Sequence, residues 1–310
     1  MKRTEARGRE IRHEIQALRM IAVLAVVLFH FWPARVPGGF VGVDVFFVIS
    51  GYLITSHLLS ELRDSGRISF AAFYARRARR ILPAATVVLL ACLAGVIAIS
   101  SMVDWQGFVG QILASTAFVE NWWLAAASVD YLGATALPSP VQHYWSLSVE
   151  EQFYVLWPAL LAGVYWATSR YLPGSSRRVL GIVLGLVATA SLAFSILTTM
   201  SNPNSAFFNT AARFWELAAG GLLAYFGVSV SRVPAIRLVA SLLGWALIAA
   251  SLILFTAVTP FPGYAAALPV AGTVLVIWAG VPSEFRFWQV LNDNALVRHL
   301  AGTSFAAYLW

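Results

Sequence analysis

Runs of about 20 apolar residues recur along the whole of this 310-residue chain, and each can cross a hydrocarbon core of roughly 30 Å as a helix. Lipid offers no partner to an unpaired peptide group, so such a chain has few folds open to it. Composition agrees: 59% of residues are hydrophobic and 11% charged, against roughly 25% charged in soluble domains. Spans are predicted near 16–32, 40–60, 81–102, 146–168, 179–200, 210–228, 237–257 and 265–281, with another beginning near 301. The expected fold class is an all-α integral membrane protein, a polytopic bundle of about 9–10 membrane helices. Residues 1–15 read as a cytoplasmic tail and 16–310 as one transmembrane domain, without an internal repeat. The basic start MKRTEARGREIRHE leads into a full-length apolar run with no small-residue cleavage site, so the first span is expected to be retained.

The net charge of +7 comes from basic residues in short loops, a pattern that encodes membrane orientation rather than nucleic-acid binding. One segment, 107–127, is ambiguous: it is apolar but carries Gln111, Glu120 and Asn121. Suppose it does not cross and the N-terminus is cytoplasmic. The cytoplasmic side then holds Lys2 to Arg12, six basic residues of 61–80, three of 169–178, and Arg232, Arg237, Arg286 and Arg298, which is 18 of 21. Arg35 and Arg213 fall outside, and Arg19 lies within a span. A crossing segment reduces this to 12 against eight. The non-crossing thread wins, and 103–145 becomes an external or re-entrant excursion.

Ionisable groups inside a span are costly and point to function. Arg19 and His30 share the first span, eleven residues apart, about 16 Å along a helix and roughly 20° in rotation. Both are expected to face the bundle interior, Arg19 toward the cytoplasmic side and His30 toward the outer side. Asp44, near the outer end of the second span, is expected level with His30, where a carboxylate would orient the imidazole. Gly42, Ser50 and Gly51 read as close-packing residues. In FYARRARRILP, Arg76, Arg77, Arg79 and Arg80 stand at the mouth of the third span, with Pro83 placed to start its helix. Arginine binds phosphate in pairs; orientation signalling with anionic lipid is the other reading. In HYWSLSVEEQFYVLWP, Ser146 reads as an N-cap. Glu150 and Glu151 sit about one turn into the helix and point about 100° apart, so at most one faces a given site.

At these residues the sequence resembles the acyltransferase-3 family, membrane O-acyltransferases that modify bacterial surface glycans and lipids. The marks are R-x10-H (Arg19 and His30), GVDVFFVISGYL, R-x-x-R before ILP (Arg77 and Arg80) and WSLSVEEQFY. The resemblance implies an acyl-CoA donor, commonly acetyl-CoA, used as a substrate from the cytoplasm, and an acceptor hydroxyl on a glycan or glycolipid reached from the other side. It implies His30 as catalytic base, Arg19 as a donor-side partner, Arg77 and Arg80 on CoA phosphates with Arg76 beside them, and Glu150 or Glu151 as an orienting relay; a transient acyl-histidine is the variant, since His can act as a nucleophile. The location implied is the bacterial inner membrane, with the N-terminus cytoplasmic. HYWSLSVEE, the excursion containing NWW and the final SFAAYLW look most like the subgroup fused to a periplasmic SGNH-type hydrolase, in which more spans and that domain would follow.

A polytopic transporter or flippase of a glycan or lipid precursor is the rival, because intramembrane Arg, His and Glu also mark substrate paths. A lipid acyltransferase of the MBOAT type also uses an intramembrane His, but lacks the R-x10-H and VEEQFY pairing. His13 and His299 are expected to be solvated, His57 lies on the wrong side for the chemistry, and His143 is a reserve for an acceptor contact. With Cys92 the one cysteine and no H-E-x-x-H spacing, no metal is predicted.

Overall fold

The computed structural model describes residues 12–127, 139–227, 233–281 and 294–309. Most of the expected tail, together with Arg232 and Arg286, lies outside the described residues. Every regular element among the described residues is helical. In order these are α1 (His13–Phe31), a 3-10 turn (Gly39–Val41), α2 (Gly42–Ser65), α3 (Phe70–Ile99), α4 (Met102–Thr116), α5 (Glu120–Ala126) and α6 (Tyr144–Tyr171). Then come α7 (Ser176–Ser201), α8 (Pro203–Phe208), α9 (Thr210–Phe226), α10 (Pro234–Leu254), α11 (Ala267–Ala279) and α12 (Ala295–Leu309). Each predicted span coincides with a helix. Five helices, α1, α2, α3, α7 and α10, are long and apolar enough to cross a membrane, and the chain is a multi-pass membrane protein.

Two boundaries differ from expectation, and both move charged residues. Helix α3 begins at Phe70, so the four arginines lie on the helix itself and Pro83 sits inside it rather than at its start. Helix α6 begins at Tyr144 with His143 in the N-cap position. Ser146 is therefore an interior residue, its hydroxyl paired with Tyr308 at 2.6 Å. Glu150 is thus carried nearly two turns into α6 rather than one.

The excursion is a broken helix. Helix α4 has 15 residues, about 22 Å of rise. The chain then turns through Phe118 at φ 54° into α5. A polar knot binds the break to the bundle. Asn121 Nδ2 donates to Phe208 O at 3.0 Å and to Thr210 Oγ1 at 2.8 Å. Gln152 Nε2 donates to Asn121 Oδ1 and to Phe118 O, both at 2.9 Å. Thr210 Oγ1 donates in turn to Gln152 Oε1. Irregular backbone at membrane depth needs such protein partners. The rest of the excursion, 128–138, lies outside the described residues.

Helix α2 forms the centre. Its backbone touches α9 directly: a Cβ on Gly51 would collide with the Leu217 carbonyl, and one on Gly220 with that of Val48. Small residues at such crossings let helices meet without a hydrophobic driving force. Cross-ties fix the register of α2 and α6 as parallel: Phe47 meets Trp145 edge-on, Ser50 Oγ bonds Glu150, and Trp157 Nε1 donates to Thr55 at 2.7 Å. Helix α3 runs antiparallel to α6, with Tyr144 Oη donating to Ala85 O and Arg77 lying over Tyr154.

Candidate active site: an arginine-lined cavity

That register builds a cavity of about 140 Å³ between α1, α2, α3, α6 and α12. Arg19, Arg77, Arg80 and Glu150 all line it. The sequence placed these arginines at one mouth and the carboxylates near the other. The structure brings them together, because an α3 that starts at Phe70 runs its arginines alongside α6. Arg77 and Arg80, three residues apart, share a helix face. Arg76 and Arg79 turn away: Arg76 Nη2 donates to His57 Nε2 at 2.8 Å and Arg79 Nε donates to Ala75 O at 3.2 Å. Arg76 thus pairs with His57 and does not line the cavity.

Glu150 is held from two sides. Its Oε1 accepts from Ser50 Oγ at 3.0 Å and its Oε2 from Tyr154 Oη at 2.8 Å. The Tyr154 ring lies 4.3 Å beneath the Arg77 guanidinium, within cation–π range. Arg19 Nη2 donates to Ser304 Oγ at 2.8 Å, tying α1 to α12. The neighbouring Glu151 does not line the cavity, as the 100° step between adjacent helical residues requires. Among the described residues, three guanidinium groups thus face one carboxylate in this lining, a surplus of positive charge.

His30 stands apart from this lining and is exposed at the end of α1. Its Nδ1 lies 2.8 Å from Val26 O; a carbonyl can only accept, so Nδ1 donates this bond. The expected Asp44–His30 pair is not formed. Gly42 packs against Ala22 and Val26, which sets Asp44 one to two turns deeper than His30, and another cation claims it. Arg213, expected in an external position, is 0% exposed, as are Asp44 and Glu216. Its Nη1 donates to Asp44 Oδ1 at 3.0 Å and to Glu216 Oε1 at 2.9 Å. The rings of Trp145, Phe207 and Phe261 surround its guanidinium at 4.8–5.3 Å. Sequence reasoning missed Arg213 and Glu216. The signal was present as charges three residues apart in TAARFWELAAGG, inside a predicted span.

His143 sits beside α12, with its Nε2 3.1 Å from Leu309 O. Burial pushes this imidazole down to about 4. Among the described residues no group of three or more His, Cys, Asp or Glu is arranged to hold a metal.

Fold and site together define a polytopic membrane protein with a cationic cavity at membrane depth. Comparison with known families matches residues 12–310 to the Acyltransferase domain family. The chain is 36% identical over 231 residues to the peptidoglycan O-acetyltransferase OatA of Listeria monocytogenes, covering 73% of this chain and 35% of that protein. It is 34% identical over 212 residues to the putative peptidoglycan O-acetyltransferase YrhL of Bacillus subtilis, covering 68% and 32%. A putative O-acetyltransferase of Staphylococcus aureus is 35% identical over 213 residues, covering 68% and 34%. The chain spans about a third of the length of these relatives. No solved structure matches it. The chain belongs to the acyltransferase-3 family of membrane acyltransferases.

Proposed function

We propose that the chain acts as a membrane O-acetyltransferase, moving an acetyl group from cytoplasmic acetyl-CoA to a hydroxyl of a cell-wall glycan of the peptidoglycan class. The observation that carries this reading is the cavity, where three arginines face one carboxylate in a chain of this family. A cationic hollow at membrane depth asks for an anion, and guanidinium groups match phosphate oxygens in pairs. The names of the relatives point to the acceptor.

In this reading Arg19, Arg77 and Arg80 hold the phosphates of CoA, and Glu150 keeps Arg77 and Tyr154 in place. The α2 wall of the cavity extends from Val43 to Leu53, about 15 Å of helix rise, along which the pantetheine arm would run toward the His30 end. The acceptor oxygen attacks the thioester carbonyl as His30 Nε2 takes its proton. The carbon–sulfur bond then breaks, and the proton returns to sulfur as CoA leaves as the free thiol. General-base help of this kind is worth about 10²–10⁴-fold. The orientation with a cytoplasmic N-terminus, and residues 16–310 as one catalytic membrane domain, belong to the same proposal.

The test uses purified protein in lipid nanodiscs with acetyl-CoA and a peptidoglycan fragment. Thiol release and O-acetylated product should rise together in the wild type and fail in His30→Ala. Normal transfer by His30→Ala rejects the assigned base. Glycan movement without thiol release supports the transporter reading instead.

A further inference from the structure

The buried cluster on α2 and α9 has a charge count that does not close. Two carboxylates, Asp44 and Glu216, meet one guanidinium, Arg213, and all three are 0% exposed. Both carboxylates bond to the same Nη1, and among the described residues Arg213 is the ion-pair partner of each. Their second oxygens, Asp44 Oδ2 and Glu216 Oε2, are buried and meet no donor. Fully ionised, the cluster would hold an uncompensated negative charge in the middle of a membrane protein, a state that real sites avoid by taking up a proton. Two carboxyl groups crowded on one donor cannot both ionise cheaply, whereas a proton on one removes the excess charge and lets that acid donate.

We infer that Asp44 and Glu216 together form a buried proton-binding site that holds one proton between them, making an electroneutral unit with Arg213 that clamps α2 to α9. The unit stands behind the cavity. Its Asp44 lies between Val43 and Phe46, which line that wall, and its Arg213 lies over Trp145, whose ring meets Phe47 of the same wall. That link to the cavity matters for catalysis only if the functional reading above holds; the proton count does not depend on it.

The experiment is infrared spectroscopy of the purified protein in detergent, without donor or acceptor, reading the carbonyl stretch of protonated carboxylic acids. One band of the wild type should be absent from Asp44→Asn and from Glu216→Gln, since the acid left in each variant ionises against Arg213. Thermal unfolding is read alongside. Each single amide variant should fold. The double variant, which leaves a buried guanidinium without a counter-charge, should lower the folding equilibrium by about a hundredfold or more, and adding Arg213→Met to it should restore folding. Unchanged bands in both single variants mean that both acids are ionised and overturn the inference. A double variant as stable as the singles, or failure of both singles to fold, overturns it equally.

Discussion

The molecule places arginine against carboxylate in two regions, with opposite results. Around Arg213 the acids outnumber the base, the rings of Trp145, Phe207 and Phe261 close over it, and nothing reaches solvent. Around Glu150 the bases outnumber the acid, and the group lines an open hollow. A sealed cluster must balance its charge from within. An open one can leave its charge for a ligand to balance, and this difference separates a structural clamp from a binding site made of the same residue types.

Substitutions test that division, beginning with the largest expected effect. Arg213→Ala should cost about 3–5 kcal/mol, because it strands buried carboxylates; denaturant unfolding in detergent measures this, and a loss below about 1 kcal/mol would put Arg213 in the same class as a surface pair. Arg77→Ala and Arg80→Ala should each weaken acetyl-CoA binding by about ten- to a hundredfold, the worth of a charged hydrogen bond, while leaving the melting temperature nearly unmoved. Unchanged titration of acetyl-CoA into both variants would remove the donor from the cavity. Thr210→Val should cost about 1–3 kcal/mol by leaving buried partners in the excursion knot unsatisfied, read as earlier proteolysis of 103–145 than in wild type.

Acid gives a smaller effect. With His143 near 4 in the fold and near 6.5 in the unfolded chain, the unfolded state takes up the proton first. Stability should therefore fall as pH drops from about 6.5 to about 4 and then level off at lower pH. His143→Gln should flatten that window, and an unaltered pH profile would count against it. Smallest of all, Arg79→Ala should change stability by no more than about 0.5 kcal/mol, since Arg79 is exposed and bonds its own helix.

Much of this was legible in the residues. Span positions followed from apolar length, which lipid enforces, and the arginines of R-x-x-R and Glu150 of VEEQFY could be singled out because charge within an apolar run is costly. Their meeting was not legible. It depends on where α3 begins and on the antiparallel register of α3 and α6, and side-chain composition does not report on register. The partner of Asp44 was hidden for a related reason. Span ends do not fix the level of a residue: the contact of Gly42 with Ala22 and Val26 slides α2 inward and delivers Asp44 to Arg213.

The parallel ties between α2 and α6 have a mechanical consequence. Three rungs, at Phe47, Ser50 and Thr55, join these helices into one stiff plate. The rest of the hollow is walled by α1, α3 and α12, with α12 tied on through Ser304, Tyr308 and the Leu309 carbonyl. A guest bulkier than the resting space finds the α2–α6 plate unable to spread, so it must be accommodated by the α1, α3 and α12 walls.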